Sequence, residues 1–168
     1  MNPDSDKPHA FNPPNGPKPP PTYNQVCITP ILPTSKLITL AGQTGLRDDQ
    51  TIPSDFKEQA KGAYESVHNC LKAAGATPRD IVCRELPFGT FVGGLLSQVM
   101  VRHFIVTVTG DPEQDKKDVV DRGWGDLWIK FMDKEAHGHR PPDTVVGVAS
   151  LAKKDLLYEC EVTALISG

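Results

Sequence analysis

Apolar residues at Phe56, Ala60, Ala63, Val67, Cys70, Leu71 and Ala74 recur at helical spacing and share one face. They predict an amphipathic helix. Ser54 or Asp55 can cap its start, and Asp55 with Glu58 has the spacing of a capping box. Gly75 fits the position just past its end. Ala60 and Ala63 are small enough to let this helix lie close on a sheet. A second helix is expected from about Val119 to Glu135, with Val120, Trp124, Leu127, Trp128, Phe131 and Met132 as its apolar stripe. Gly123 and Gly125 weaken its first turns by about 1 kcal/mol each relative to Ala. The run from His137 to Pro142 ends it.

The strands are shorter and less regular. Tyr23 to Thr29 and Leu37 to Ala41 read as a hairpin turning at Pro33-Thr34-Ser35. Gly42 then suggests a bulge or a close approach of the backbone, and Gly45 a turn. Ile81 to Cys83 opens a third strand. Arg102 to Thr109 sets His103, Ile105 and Thr107 against Phe104, Val106 and Val108. Between these runs lies an insert at about 84–100, apolar yet broken by Gly and Pro. Thr144 to Ser150 and Leu156 to Ile166 supply the last strands. The order ββαβαββ describes an α+β sheet backed by two helices.

Composition narrows the function classes. With 168 residues, one compact domain is the default. The Pro-rich segment 1–21 has almost nothing to bury and reads as a disordered tail, leaving 22–168 as the domain. The net charge of −3 and a pI near 5.9 argue against a nucleic-acid partner. Cys27, Cys70, Cys83 and Cys160 lack metal-ligand spacing and fit a reduced, intracellular setting. No secretory signal and no membrane-spanning stretch is visible, so a cytoplasmic location is expected, with a mitochondrial one left open. His137-x-His139, with His103, is a weak metal signal, and no metal site is assigned. Trp124 and Trp128 read as core, and Cys160 as packed rather than nucleophilic.

Several separated motifs carry a family resemblance. They are Tyr23-Asn24-Gln25, Leu40-Ala41-Gly42-Gln43, Leu71-Lys72-Ala73-Ala74-Gly75-Ala76 and Asp80-Ile81-Val82. The tail adds Arg140-Pro141-Pro142-Asp143-Thr144-Val145-Val146-Gly147-Val148 and Tyr158-Glu159-Cys160-Glu161-Val162-Thr163-Ala164. From Pro21 to Ile166, the insert aside, the chain resembles the reactive-intermediate deaminases, the RidA or YjgF-like family. The resemblance implies a chorismate-mutase-like, YjgF-type fold and a homotrimer with clefts between subunits. It also implies hydrolysis of reactive imines or enamines to carbonyl products and ammonia, with no cofactor. An imine carbon is already electrophilic, so such a site has only to hold it, orient a water and manage a proton.

Residue by residue, Glu161 matches the family's acidic residue that positions or activates water. A raised pKa on such a strand would suit it to proton transfer. Tyr23 matches an aromatic cleft residue, and Gly42 the glycine whose backbone approaches the substrate. Val145 stands where many members carry Cys or another small residue. Asp143 stands where the family's arginine grips a substrate carboxylate. An Arg makes a bidentate, charge-assisted pair with that group; an Asp repels it. The implied activity is therefore a deaminase with altered specificity, acting on a ligand that is neutral or carries a cationic amine. Two alternatives remain. In one, the cleft serves other acid–base chemistry, such as tautomerisation or cyclisation in secondary metabolism, with Asp143 beside Glu161 as a shuttle. In the other, the protein is a non-catalytic trimeric binding or chaperone-like protein. The insert is either a cleft-capping loop or trimer contact, or a passenger, since joining Cys83 to Val101 restores a strand of family length.

Overall fold

The computed structural model describes residues 8–19, 21, 24–32, 35–81 and 101–167. Tyr23, the Pro33-Thr34 turn and the 84–100 insert lie outside the described residues. Helix α1 spans Phe56–Ala73. The Asp55 carboxylate accepts from the Glu58 N–H at 2.9 Å, and Gly75 follows the end at φ +77°. All seven predicted apolar positions are buried, and so are Gln59 and Tyr64. Ala60 and Ala63 are fully buried, as expected of a helix lying close on a sheet.

One four-stranded sheet runs β1 (His9–Phe11), β2 (Val26–Leu32), β3 (Ser35–Leu40), β8 (Thr163–Ser167). The other runs β4 (Gln43–Thr44), β7 (Tyr158–Glu161), β5 (Val101–Val106), β6 (Asp143–Val148). The parallel β5–β6 pair is joined by a crossover carrying a short helix α2 (Pro112–Asp115) and helix α3 (Trp124–Ala136). The expected final strand divides at Val162, whose carbonyl accepts from the Leu40 N–H at 3.1 Å. The chain thereby passes from one sheet to the other while keeping its buried side inward.

Three expectations need correcting. Residues 9–11 of the predicted tail pair antiparallel with β2. Asn12 Oδ1 accepts from the Gln25 N–H, and the Gln25 amide donates to the Pro17 carbonyl, which anchors the segment. The second helix starts at Trp124 rather than Val119, because Gly123 takes a left-handed conformation at φ +83° and a separate 3-10 turn covers Val119–Asp121. Val120 accordingly points outward, 57% exposed. Of the expected strand Ile81 to Cys83, only Ile81 is among the described residues, and it bridges Ala164.

The core lies between α1, α3 and one face of the sheets. Val26, Ile38 and Leu40 meet Val67 and Leu71 there, beside Val101, Ile105, Trp128 and Met132. Each large apolar side chain fully buried in this way stabilises the fold by about 1.5–3 kcal/mol.

Candidate functional site

Strand alternation sorts the chemistry onto two faces. On β7, Tyr158 and Cys160 are buried against the helices, while Glu159 and Glu161 point to the other face. On β5, Val101, His103 and Ile105 turn inward, and Arg102 and Phe104 turn outward. Register places Arg102 opposite Glu161, His103 opposite Cys160 and Phe104 opposite Glu159.

The outward face is the acidic one. Glu161 Oε2 lies 3.4 Å from Arg102 Nη1, with both side chains more than a third exposed. An ion pair that open is worth less than about 1 kcal/mol, so it orients Glu161 more than it stabilises the fold. Glu159 lies over the turn between β3 and β4. A Cβ built on Gly42 would overlap the Glu159 carboxylate. Gly42 is thus the close approach expected of it, although the group it accommodates is Glu159. Burial, and then the nearby Glu161 charge, hold the Glu159 carboxyl above the usual range. Gly42 and Glu159 also line a cavity of about 520 Å³ with Gln25, Gln43, Leu156 and the Pro17–Pro19 segment. Gln43 fixes the turn by donating to the Ala41 carbonyl at 2.8 Å.

Asp143 and Val145 belong to the other face. Asp143 begins β6 opposite Val101, and Val145 sits opposite His103. Val145 is a partly buried member of the core margin. Asp143 Oδ2 approaches His103 Nε2 at 3.6 Å. Burial raises the Asp143 carboxyl and pulls the His103 imidazole down to about 3. Within one chain the structure therefore separates Asp143 from Glu161, and the side-by-side shuttle expected from sequence does not form. Tyr23 lies outside the described residues.

Sequence reasoning weighed His103 only as part of a weak metal signal and assigned no role to Arg102 or Glu159. The available signal was the alternation itself: a histidine on the apolar side of Val101-His103-Ile105 is a buried polar group needing a partner. Among the described residues no cluster of three His, Cys, Asp or Glu side chains is placed to hold a metal. Nor does any described helix have the length and apolarity to cross a membrane.

Residues 14–86 match the family model described as Endoribonuclease L-PSP. A segment of 46 residues is 41% identical to the RutC family protein YjgH of Escherichia coli K12. That match spans 27% of this chain and about a third, 35%, of the relative's length. The fold is similar to that of E. coli TdcF with bound serine, at a TM-score of 0.68 and 22% identity over 95% of this chain and 99% of the other. It is similar to yeast Mmf1 at a TM-score of 0.67 and 18% identity, covering 96% and 100%. YjgH itself aligns at a TM-score of 0.63 and 22% identity, covering 95% and 97%.

Proposed function

We propose that this chain works as a YjgF/RidA-like protein, an imine or enamine deaminase whose substrate carries no carboxylate at the Asp143 position. The observation that supports this reading is the outward face of β7. There Glu161 is turned by Arg102, and Glu159 crosses a turn opened by Gly42. Water adds across the C=N bond, its oxygen to carbon and its protons to nitrogen. The C–N bond then breaks, releasing ammonia and leaving a carbonyl. Glu161 is the residue assigned to orient that water and relay its proton. Asp143 puts a carboxyl group in place of a cation, so a 2-imino acid loses its charge-assisted anchor and meets an acceptor oxygen instead. The assembly that fits this reading is a homotrimer whose clefts join residues of neighbouring copies.

The test is ammonia release from enzymatically generated imines with and without a carboxylate. Wild type should turn over the carboxylate-free members. Glu161→Ala should lower kcat by about 100-fold or more, the usual scale for a lost acid–base group. Asp143→Arg should gain activity on 2-imino acids. Ammonia release that ignores Glu161, or wild-type turnover of 2-aminoacrylate as fast as that of Asp143→Arg, would overturn the assignment.

One observation favours a second reading within the same fold. Glu159, held above the usual range by burial, lines the 520 Å³ cavity that Glu161 does not. Tautomerisation or cyclisation in that cavity would depend on Glu159 and release no ammonia.

A further inference from the structure

His103 determines what Asp143 offers a ligand, and proton bookkeeping along a buried chain shows how. The Trp124 carbonyl accepts from the Tyr64 hydroxyl at 3.2 Å. Tyr64 has one proton, and it is now committed, so its oxygen accepts from the Tyr158 hydroxyl at 2.9 Å. Tyr158 has then spent its own proton. Its oxygen must accept from His103 Nδ1–H, at 2.5 Å. With the proton on Nδ1, a neutral imidazole carries a bare lone pair on Nε2. That nitrogen is buried and finds no hydrogen-bond partner among the described residues.

Asp143 Oδ2 lies 3.6 Å from this lone pair, just beyond hydrogen-bonding distance. An ionised Asp143 would set one acceptor against another. A carboxylic acid that closes this gap by a few tenths of an ångström donates to Nε2 and satisfies both. We propose that Asp143 stands as a neutral acid whose proton is held by the Nε2 lone pair of His103, leaving its second oxygen to accept from an uncharged donor on the substrate. This rests on the deaminase reading and names its substrate class: an imine whose far end carries a carboxamide or hydroxyl group in place of a carboxylate or an ammonium.

The surroundings agree. Tyr64 of α1 and Tyr158 and Cys160 of β7 face the pair, and burial pushes each of them up, so all three stay neutral. From α3 come only the rings of Trp124, at 4.4 Å between centroids from His103, and Trp128, at 5.3 Å. None of these groups supplies the positive charge that would hold Asp143 ionised. His103 does not compete for the proton, since burial draws it down to about 3. His103 is thus a positioning residue acting through Asp143.

The experiment has two arms on the full chain. The first records nitrogen-15 shifts of the imidazoles at pH 7 and the carbon-13 titration of the Asp143 carboxyl. The proposal expects an Nδ1–H tautomer at His103 and an Asp143 carboxyl that is still protonated at pH 7. An Nε2–H tautomer, or an Asp143 already ionised at pH 7, overturns it whether or not any turnover is found. The second arm compares Asp143→Asn and Asp143→Leu on a 2-imino carboxamide, its parent 2-imino acid and an ammonium-bearing imine. Asn reproduces the neutral acid, its amide donating to Nε2, and should keep KM for the carboxamide within about threefold. Leu should raise that KM more than tenfold with kcat little changed. Loss of carboxamide turnover in Asp143→Asn, or wild-type preference for the ammonium-bearing imine, refutes the neutral acid while leaving the deaminase standing. If no imine yields ammonia in a Glu161-dependent way, the deaminase reading fails, and the first arm still decides the protonation of the pair.

Discussion

Buried His103 ties stability to pH, with a sign fixed by burial. The folded state holds its imidazole at about 3, whereas an unfolded chain titrates it near 6.5. Between these values the unfolded chain binds the extra proton, so stability rises with pH. The contribution is fully present above 6.5 and is lost as pH falls towards 3. Each pH unit within the window is worth up to about 1.4 kcal/mol, which gives about 2 kcal/mol between pH 7 and 5 and about 5 kcal/mol as an upper limit. A domain of this size is stable by roughly 5–15 kcal/mol in total, so the loss is large. Glu159 and Asp143 work in the opposite sense. Their raised carboxyls add stability as pH falls and offset part of the loss, and because both remain in His103→Gln the difference between the two proteins isolates the imidazole. The assay is urea unfolding at pH 7, 6 and 5 for wild type and His103→Gln, which cannot titrate. Wild type should lose about 2 kcal/mol across this range, and the variant, though less stable overall, should lose much less. Parallel losses in the two proteins would refute the argument.

Two further outcomes follow from packing. Gly42→Ala should fold, since the overlap it creates is with the far end of the Glu159 side chain; the expected loss is about 1 kcal/mol of rotamer strain in a thermal melt. Gly45→Ala, whose Cβ would lie 2.5 Å from the Gln59 Cα, should unfold or fall well below it, and equal melting of the two variants would contradict the geometry. Gln59→Leu should cost about 2–4 kcal/mol by urea titration, because it strips partners from the Pro53 and Asp155 carbonyls and the Leu157 N–H. A loss below 1 kcal/mol would show that water serves those groups equally well.

What the sequence made legible depended on whether a pattern was local. Helix α1 could be read because its period, its Asp55 cap and its Gly75 terminus all lie within one stretch. Gln59 and Tyr64 escaped because polar atoms on a buried face are satisfied by distant partners: Asp155 and Leu157 for Gln59, Trp124 and Tyr158 for Tyr64. The division of the last strand was invisible for a different reason. Tyr158, Cys160, Val162 and Ala164 are all buried, so the alternation continues unbroken where the chain changes sheets. The start of α3 was misplaced because apolar spacing does not report the left-handed turn at Gly123.

The site shows the same limit at longer range. Resemblance singled out Asp143 and Glu161, and alternation placed each within its own strand. Only the register of β5 against β6 and β7 reveals that they occupy opposite faces of one sheet. A ligand lying on either face of a single chain therefore meets one of them: Glu161 beside Arg102, or Asp143 beside His103. A cleft using both must draw its second carboxylate from another copy of the chain. A trimer with intersubunit clefts would provide that geometry, and on the proposed deaminase reading it favours separate specificity and water-handling roles for Asp143 and Glu161 over one proton shuttle.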